Sequence, residues 1–321
     1  MLAPGRGLRR AAPEELPNAA LGVGWSVAAT LATASDPAEL WTGAEAGQRR
    51  TAKRDGKAAS VLSLGRVARI LWLTPAQDRL FVEAPADRRR FLDRIALSFA
   101  PEHAEAAARY ERAMRERNRL LKDGVGDAAW LAALEAQMAE HGVAMAATRR
   151  AVLASLLDAQ SDASAFPRAE ATLDGPFGEG EPPGEAAFAA RLADGRGRDA
   201  AAGRALEGPH RTDLVVRYAA KDAPAAACST GEQKALLVSL VLANARALRA
   251  ETGEPPILLL DEIAAHFDEA RRAALFAEIE GLGAQAWMTG TEWRLFDALG
   301  ASALRLEVRE GAEGSALAEV G

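Results

Sequence analysis

The stretch Pro255–Arg272, PPILLLDEIAAHFDEARR, decides how the rest of the chain is interpreted. Four consecutive large apolar residues, Ile257 to Leu260, are typical of a strand buried on both faces of a parallel sheet. Asp261 and Glu262 follow at the carboxyl end of that strand, where open α/β sheets bind their ligands. Taken alone, the pair is more ordinarily the end of a strand, so the prediction of a ligand site needs a second motif.

A second motif lies in Cys228–Leu237, CSTGEQKALL, which opens a helix. Ser229 and Glu232 have the spacing of a capping box. Gly231 leaves room for an anion at the same helix N-terminus, where backbone N–H groups lack partners. Both interpretations describe the same atoms. Lys234, one turn further, is more ordinarily a solvated lysine.

Composition sets the outer limits. About half of the 321 residues are apolar, which is enough for one large domain or two smaller ones. The net charge of −6 means that any nucleic-acid contact needs a local basic face. One cysteine and four scattered histidines provide neither a disulfide framework nor a spaced zinc motif. This cysteine usage fits a reducing cytosol, so we expect a cytoplasmic protein. No apolar stretch is long enough to span a bilayer, so we expect no membrane contact.

Changes in composition predict three parts. Short strands between Gly and Pro turns occupy 1–84, a block of strong helix formers occupies 85–165, and strands and helices alternate in 166–321. The strands DLVVRYA, PILLLDE and AQAWMTGT alternate with helices as in βαβ units of a parallel sheet. We therefore predict an α/β head domain built from both chain ends, with an α-helical insertion.

The order of these motifs is that of ABC-type ATPases. The Ser-x-Gly-x-Gln helix start corresponds to their signature, ILLLDE to Walker B, and Ala265–Glu269, AHFDE, to the D-loop. The whole chain resembles the RecF family of bacterial DNA replication and repair proteins. The segments that carry this resemblance are APGRGLRRA, LWLTPAQDRLF, RRRFLDR, YERAMRERNRLL, GPHRTDL, STGEQKALL and LLLDEIAAHFD.

The resemblance implies a dimer that encloses ATP between two heads. Ser229, Gly231, Glu232 and Gln233 would face a γ-phosphate bound across the dimer, as the signature does in the family. ATP and Mg²⁺ are therefore the implied cofactors.

The same resemblance assigns roles on the strand ends of the head. Asp261 would be the Mg²⁺ ligand, Glu262 the hydrolytic base, and Asp268 of the D-loop would help to align the partner's site. Gln77, after the strand ILWL, stands where ABC heads keep a glutamine that senses the γ-phosphate. We carry it over as a candidate.

The phosphate-binding loop of the family has no counterpart in the sequence. Gly-x-x-x-x-Gly-Lys-[Ser/Thr] does not occur, and the one Gly-Lys pair, Gly56-Lys57, belongs to a turn between predicted strands. This pattern is expected of a chain truncated at its N-terminus. We expect weak ATP binding and an unpaired edge in the head sheet.

DNA contact is a further property that the resemblance implies. His210 and Arg211 of GPHRTDL either approach a phosphate or form a turn in which Asp213 pairs locally with Arg211. On the first long helix, interleaved glutamates make a solvated, ion-paired face the ordinary interpretation. The arginines considered for DNA are Arg6, Arg9, Arg10, Arg112, Arg115 and Arg119.

The implied function is a slow ATP-dependent clamp on gapped or single-strand-junction DNA. It would help to load RecA in recombinational repair and the SOS response, together with RecR and RecO. Two alternatives stay open: a non-catalytic fragment that binds DNA or a partner without nucleotide, and a head of the structural-maintenance-of-chromosomes type. The short insertion without sustained heptads disfavours the last.

Overall fold

The computed structural model describes residues 2, 23–33, 36–178, 180–265, 267–311 and 314–320. Arg6, Arg9 and Arg10, considered above for DNA contact, lie outside these residues. The strands are β1 Trp25–Leu31, β2 Ala38–Ala44, β3 Thr51–Arg54, β4 Lys57–Ala59, β5 Ile70–Leu73, β6 Ala169–Asp174, β7 Asp213–Tyr218, β8 Ala223–Pro224, β9 Ile257–Leu260, β10 Ala286–Met288, β11 Leu306–Gly311 and β12 Gly314–Glu319. The helices are α1 Val61–Val67, α2 Pro85–Phe99, α3 His103–Lys122, α4 Ala128–Asp158, α5 Glu185–Asp194, α6 Arg196–Ala202, α7 Thr230–Thr252 and α8 Glu269–Leu282.

A parallel sheet in the order β10-β9-β5 positions the candidate site. Its middle strand is the predicted ILLL strand, in which Leu258 and Leu260 are buried. Leu73 of β5 is in register with Leu260, so these two strands end side by side. Within the described residues β10 pairs with β9 alone, and its Trp287 is 54% exposed. The described part of the sheet therefore has an open edge at β10.

The strand DLVVRYA does not belong to this parallel sheet, and that part of the prediction is wrong. It forms β7, which lies between β6 and β8 in an antiparallel sheet. The physical reason is visible in β6 and β7, where buried residues alternate with less buried ones, because only one face packs on the core.

The Gly56-Lys57 pair lies in a hairpin, as the sequence predicts. Asp55 and Gly56 have φ values of 50° and 74°, the left-handed conformation that a tight two-residue hairpin turn requires. Lys57 is the first residue of β4, which pairs with β3. The pair is therefore part of a β-hairpin, not of a phosphate-binding loop.

Helix α7 crosses the centre of the larger core. From Gln233 to Ala245 every residue is buried, and the helix packs against β5, β6 and α4. Apolar side chains around the whole circumference are typical of a helix enclosed on all sides. The helix ends at Gly253 in the left-handed conformation, a common stop signal. A long, enclosed helix thus starts directly after Ser229 and runs through this core.

A second core lies between helices. It contains Tyr110, Leu120 and Met138 of α3 and α4, together with Phe188 of α5 and the loop residue Phe177. The carboxyl-terminal part of α4 joins the first core instead. Boundaries at 84/85 and 165/166 stay predictions, and α5 and α6 add to the helical packing from outside 85–165. In the described part of the chain, no helix combines the length and apolarity needed to cross a membrane.

Candidate functional site

Ser229 caps helix α7 in the predicted capping box. The Ser229 hydroxyl oxygen accepts from the Glu232 N–H at 3.4 Å, and the Glu232 carboxylate accepts from the Ser229 N–H at 3.0 Å. Lys221 also donates to this carboxylate. The hydrogen bonds from Lys221 and Ser229 lower the pKa of Glu232 to about 2. Glu232 is therefore ionised at neutral pH and is engaged within its own chain.

The first turn of α7 leaves backbone donors open. Among the described residues the N–H groups of Thr230 and Gly231 have no acceptor, as expected for a helix start. A Cβ built at Gly231 meets no heavy atom within 4 Å, so this side of the turn faces open space. The Gln233 amide nitrogen donates to the Cys228 carbonyl at 2.8 Å, and the side chain is buried. Gln233 thus holds the loop before Ser229 instead of facing outward.

Asp261 and Glu262 lie at the carboxyl end of β9, next to the ends of both neighbouring strands. The Asp261 N–H donates to Leu73 of β5 at 2.9 Å. Thr289, which follows β10, donates its hydroxyl to Asp261 Oδ1 at 2.6 Å and accepts from the Glu262 N–H at 3.1 Å. Three strand ends are therefore joined at the predicted carboxylates. Sequence reasoning missed Thr289, although its place at the end of AQAWMTGT was a usable signal.

Glu262 has an unusual backbone. Its φ of 54° lies in the left-handed region, which costs a residue with a side chain about 1 kcal/mol or more. Such strain persists only where the surroundings impose it. The Thr289 hydroxyl holds the Glu262 N–H, and Lys234 holds its carbonyl at 3.2 Å.

Lys234 is buried, and the expectation of a solvated lysine is wrong. Only 3% of the residue is exposed, because α7 carries it into the interior behind the signature. Its ammonium group lies 3.3 Å from Asp78 Oδ2 and 3.2 Å from the Glu262 carbonyl oxygen. It also lies 6.0 Å from the ring centroid of Phe267, within the predicted D-loop. Lys234 thus connects three segments that are distant in sequence, namely α7, the turn at Asp78 and the stretch 262–267.

Gln77 lies directly beside this connection. It ends a short 3-10 turn after β5, and its Oε1 accepts from the Thr74 N–H at 3.2 Å. Its Nε2 is buried and has no partner among the described residues. A buried donor without an acceptor costs about 1 to 3 kcal/mol. The amide therefore presents an unused donor beside Asp78, the ion-pair partner of Lys234.

Asp268 is the N-cap of α8, and its Oδ1 accepts from the Arg271 N–H at 2.8 Å. Arg272 returns to donate to the Phe267 carbonyl at 2.6 Å. The D-loop residues after position 266 are thus held by the start of α8. Because Phe267 also contacts Lys234, this segment belongs to the same connected group.

His210 and Arg211 lie elsewhere, in the short 3-10 turn Pro209–Arg211 before β7. His210 Nε2 lies 3.1 Å from the Ala205 carbonyl, so this nitrogen donates and Nδ1 accepts from Tyr110 at 2.7 Å. Burial lowers the pKa of His210, in agreement with a neutral ring. Of the two alternatives for this turn, the local pairing of Asp213 with Arg211 is wrong.

Asp213 instead pairs with Arg88 of α2. Arg88 Nε lies 3.0 Å from Oδ1 and Nη2 lies 2.6 Å from Oδ2, so both carboxylate oxygens are used. Both side chains are mostly buried. Arg211 is left exposed, with no side-chain partner among the described residues.

The arginines considered on α3 are on its solvent face. Arg115 pairs with Glu111 at 3.4 Å and Arg119 with Glu116 at 2.6 Å. Glu116 is half-buried, and the other three side chains are well exposed. Exposed pairs of this kind contribute little to stability. Arg112 is exposed, without a partner in the described part of the chain.

Comparison with known proteins gives a consistent result. No family model matches the chain. It is 49% identical over 322 residues to the DNA replication and repair protein RecF of Rhizobium johnstonii strain DSM 114642, covering 97% of this chain and 86% of that protein. It is 48% identical to the protein of the same name from Brucella suis biovar 1, covering 97% of this chain and 84% of the relative.

A solved structure shows the same fold. The recombination mediator protein RecF-ATPrS of the RecFOR pathway superposes with a TM-score of 0.79 over 92% of this chain and 81% of that one, at 22% identity. This likeness shows that the chain has the α/β fold of that RecF structure. The chain belongs to the RecF family of DNA replication and repair proteins.

Proposed function

We propose that this chain acts as an ATP-dependent clamp on DNA, in which two heads enclose nucleotide between them. The observation that carries the proposal is Lys234, which links the signature helix to Asp78, to the backbone of Glu262 and to the D-loop. A clamp of this kind needs the surface that receives the partner's nucleotide to be coupled to its own hydrolytic strand. Lys234 provides that coupling through a chain of direct contacts.

The signature contributes hydrogen-bond donors. The N–H groups of Thr230 and Gly231 would bind the γ-phosphate held by the partner head. The Ser229 hydroxyl donates to the Glu232 carboxylate at 3.0 Å, so it would join them by turning away from Glu232. A helix N-terminus favours negative charge by its dipole and its unpaired donors. Glu232 and Gln233 would not contact the phosphate themselves. Their side chains would hold the first turn of α7 and the loop before it in place.

The strand ends contribute the hydrolytic side. Asp261 Oδ1 is taken by Thr289, while Oδ2 has no partner among the described residues. Within those residues no group of three or more ionisable ligands is arranged for a metal. This donor set fits Mg²⁺, which is often bound by one or two carboxylates, water and nucleotide phosphates. Asp261 would hold Mg²⁺, whose charge neutralises the phosphates in phosphoryl transfer.

Glu262 and Gln77 would act on the attacking water. The Glu262 carboxylate has no partner among the described residues, so it is available to accept a proton from water. Gln77 Nε2 would donate to the same water or to a phosphate oxygen, which would satisfy its buried donor. Hydrolysis would then open the clamp, and slow turnover would set the lifetime on DNA.

The proposed cellular role is based on the similarity to named relatives. We propose that the clamp works in the cytoplasm on gapped or single-strand-junction DNA and helps to load RecA together with RecR and RecO. The names of the relatives, which are DNA replication and repair proteins, support this role. The structural neighbour from the RecFOR pathway supports it as well.

A second candidate is a DNA or partner-binding protein that does not bind nucleotide. One observation favours it: the sequence contains no Gly-x-x-x-x-Gly-Lys-[Ser/Thr], and Gly56-Lys57 belongs to a β-hairpin. Such a protein would still bind DNA but would ignore ATP. The two candidates therefore differ in the response of self-association to nucleotide.

Sedimentation with a non-hydrolysable ATP analogue tests the proposal. We would compare the chain with an extended protein, defined as this chain with an added N-terminal segment that carries Gly-x-x-x-x-Gly-Lys-[Ser/Thr]. The extended protein should dimerise with the analogue, and its Gly231→Ala variant should bind the analogue but stay monomeric. Gly281→Ala in α8 is the matched control, since an added Cβ meets no atom within 4 Å at either glycine. Dimerisation of the Gly231→Ala variant would refute a signature that acts across the dimer.

A further inference from the structure

Arg89 of α2 is a partly buried cation without a carboxylate of its own. Among the described residues it makes no ion pair or hydrogen bond through its side chain. Burial lowers the pKa of Arg89. Of the neighbouring charges, Asp213 has the largest effect and raises the pKa, Arg149 and Arg211 lower it, and Asp93 raises it. A charge taken partly out of water is costly unless an anion is bound beside it.

The acidic residues nearby are already occupied. Both oxygens of Asp213 are bound by Arg88. Asp93 accepts from Arg149 at 2.7 and 2.8 Å and from His103 at 2.8 Å.

The cluster therefore holds four arginines against two carboxylates. The arginines are Arg88, Arg89, Arg149 and Arg211, and the carboxylates are Asp93 and Asp213. The cluster thus carries a net charge of about +2 with arginine always protonated, although the whole chain is acidic.

The loop that carries Arg211 is held firmly in place. Arg149 Nη1 donates to the Pro209 carbonyl at 2.6 Å, and Tyr110 donates to His210 Nδ1 at 2.7 Å. Gly208 has a φ of 139°, and a Cβ there would lie 2.2 Å from the Tyr110 hydroxyl, so the loop is packed closely against α3. The backbone of the turn that carries Arg211 is consequently fixed before any ligand arrives. The ion pair of Arg88 with Asp213, which lie one residue from Arg89 and two residues from Arg211, holds this turn against α2.

We propose that Arg89 and Arg211 form a phosphate-binding site between α2 and the turn before β7. Arginine suits this role because its planar group donates two parallel hydrogen bonds to phosphate oxygens. The phosphate belongs either to the backbone of DNA or to a nucleotide, since both present the same charged oxygens. This inference rests on the proposed function in one respect: the clamp supplies the two ligands to be tested, DNA and ATP.

Binding of a fluorescent gapped duplex and of a fluorescent ATP analogue tests the site. The duplex is measured on the chain, and both probes are measured on the extended protein. The Arg89→Gln, Arg211→Gln double variant should lose affinity for one of them by at least about tenfold. If the ligand is DNA, the slope of log affinity against log salt should also fall by about one for each phosphate that the variant no longer binds. Arg198→Gln is the control, because Arg198 is exposed and has no partner among the described residues.

The pattern of lost affinities shows whether the site exists and which phosphate it binds. Loss of DNA affinity alone assigns a backbone phosphate, and loss of analogue affinity alone assigns a nucleotide phosphate. Unchanged affinity for both overturns the proposal. The single variant Arg211→Gln covers the case in which Arg89→Gln fails to fold, since Arg211 is exposed. The two proposals can also be separated. If Gly231→Ala abolishes dimerisation but the Arg89→Gln, Arg211→Gln variant keeps its affinity for both probes, the phosphate site is refuted and the proposed clamp is not.

Discussion

Two buried cations, Arg117 and Lys234, are treated differently by this fold. Arg117 is fully buried between α3, α4 and α6, and it binds Glu135 at 2.9 Å, Asp199 at 2.7 Å and the Leu192 carbonyl at 2.6 Å. Lys234 has one carboxylate at 3.3 Å, on Asp78, whose side chain is 24% exposed. The first cation is saturated with short hydrogen bonds, while the second is held by longer contacts at the edge of the candidate site.

The number and length of these hydrogen bonds suggest different roles for the two cations, structural for Arg117 and coupling for Lys234. A buried charge that has all its partners fixes one arrangement, and removing it leaves other charges unpaired. A buried charge with few, long contacts can exchange partners when a ligand arrives, because the rearrangement breaks weaker bonds. We therefore expect Arg117 to serve the stability of the helical part, and we propose that Lys234 serves communication between α7 and the candidate site.

The largest expected effect is that of Arg117→Met. The variant leaves the buried Asp199 without its cationic partner, while Glu135 keeps its two hydrogen bonds from Arg196, at 2.9 and 2.5 Å. The free energy of unfolding should therefore fall by about 3 to 5 kcal/mol. Urea unfolding followed by circular dichroism measures this loss. Arg119→Met is the control, because the pair of Arg119 with Glu116 lies at the surface and should contribute little to stability. Equal losses in both variants would remove the distinction between buried and exposed pairs.

Acidification should remove a second, smaller contribution to the free energy of unfolding, that of Asp93 in α2. Burial alone would raise the pKa of Asp93, but hydrogen bonds from His103 and Arg149 and the charge of Arg149 outweigh it and lower the pKa from 3.8 to about 2. Because the folded value is depressed, the stabilisation is complete above about pH 4 and is lost as pH falls through about 2. It corresponds to about 2 kcal/mol. Unfolding of wild type and Asp93→Asn across this pH range measures it, and identical slopes would contradict it.

Lys234→Met tests whether Lys234 differs from Arg117 in its contribution to stability. We expect the free energy of unfolding to fall by only about 1 to 2 kcal/mol, because Asp78 can be hydrated and methionine fills the space. ATP hydrolysis by the extended protein should fall at least about tenfold, since the strained backbone of Glu262 loses a hydrogen bond. Lys122→Met, which removes an exposed charge, should leave both quantities unchanged. A loss of stability as large as that of Arg117→Met would make Lys234 a scaffold residue as well.

The smallest expected effect is that of Ser229→Ala on stability. The capping hydrogen bond to Glu232 is removed, which should lower the free energy of unfolding by about 1 kcal/mol. Ser155→Ala is the control, because its hydroxyl only bonds the preceding turn of α4. Thermal unfolding of the two variants provides the comparison, and an unchanged melting temperature for Ser229→Ala would argue against the cap.

The local motifs could be predicted from the sequence because each is a short pattern with a direct physical meaning. The cap at Ser229, the strand Ile257–Leu260 and the hairpin at Gly56 follow from capping, burial and turn rules. The pairing of β7 could not be predicted in the same way. Its alternation fitted an antiparallel sheet, but its partner β6 lies about forty residues earlier across two helices.

Contacts between distant segments were also beyond sequence reasoning. Lys234 with Asp78 joins residues 156 positions apart, and Arg88 with Asp213 joins residues 125 positions apart. Nothing in either local pattern specifies the partner, so the ordinary interpretations, a solvated lysine and a local turn pair, were both wrong. Thr289 could have been proposed, since the ends of adjacent parallel strands meet at one edge.

The single cysteine offers the most direct test of the central claim, that the signature acts across a nucleotide-bound dimer. Cys228 directly precedes Ser229, is partly exposed and carries a free thiol. In the extended protein, a non-hydrolysable ATP analogue should slow the alkylation of Cys228, and the Gly231→Ala variant should lose this protection while still binding the analogue. Alkylation at the same rate with and without bound analogue would contradict a signature that meets the partner's nucleotide.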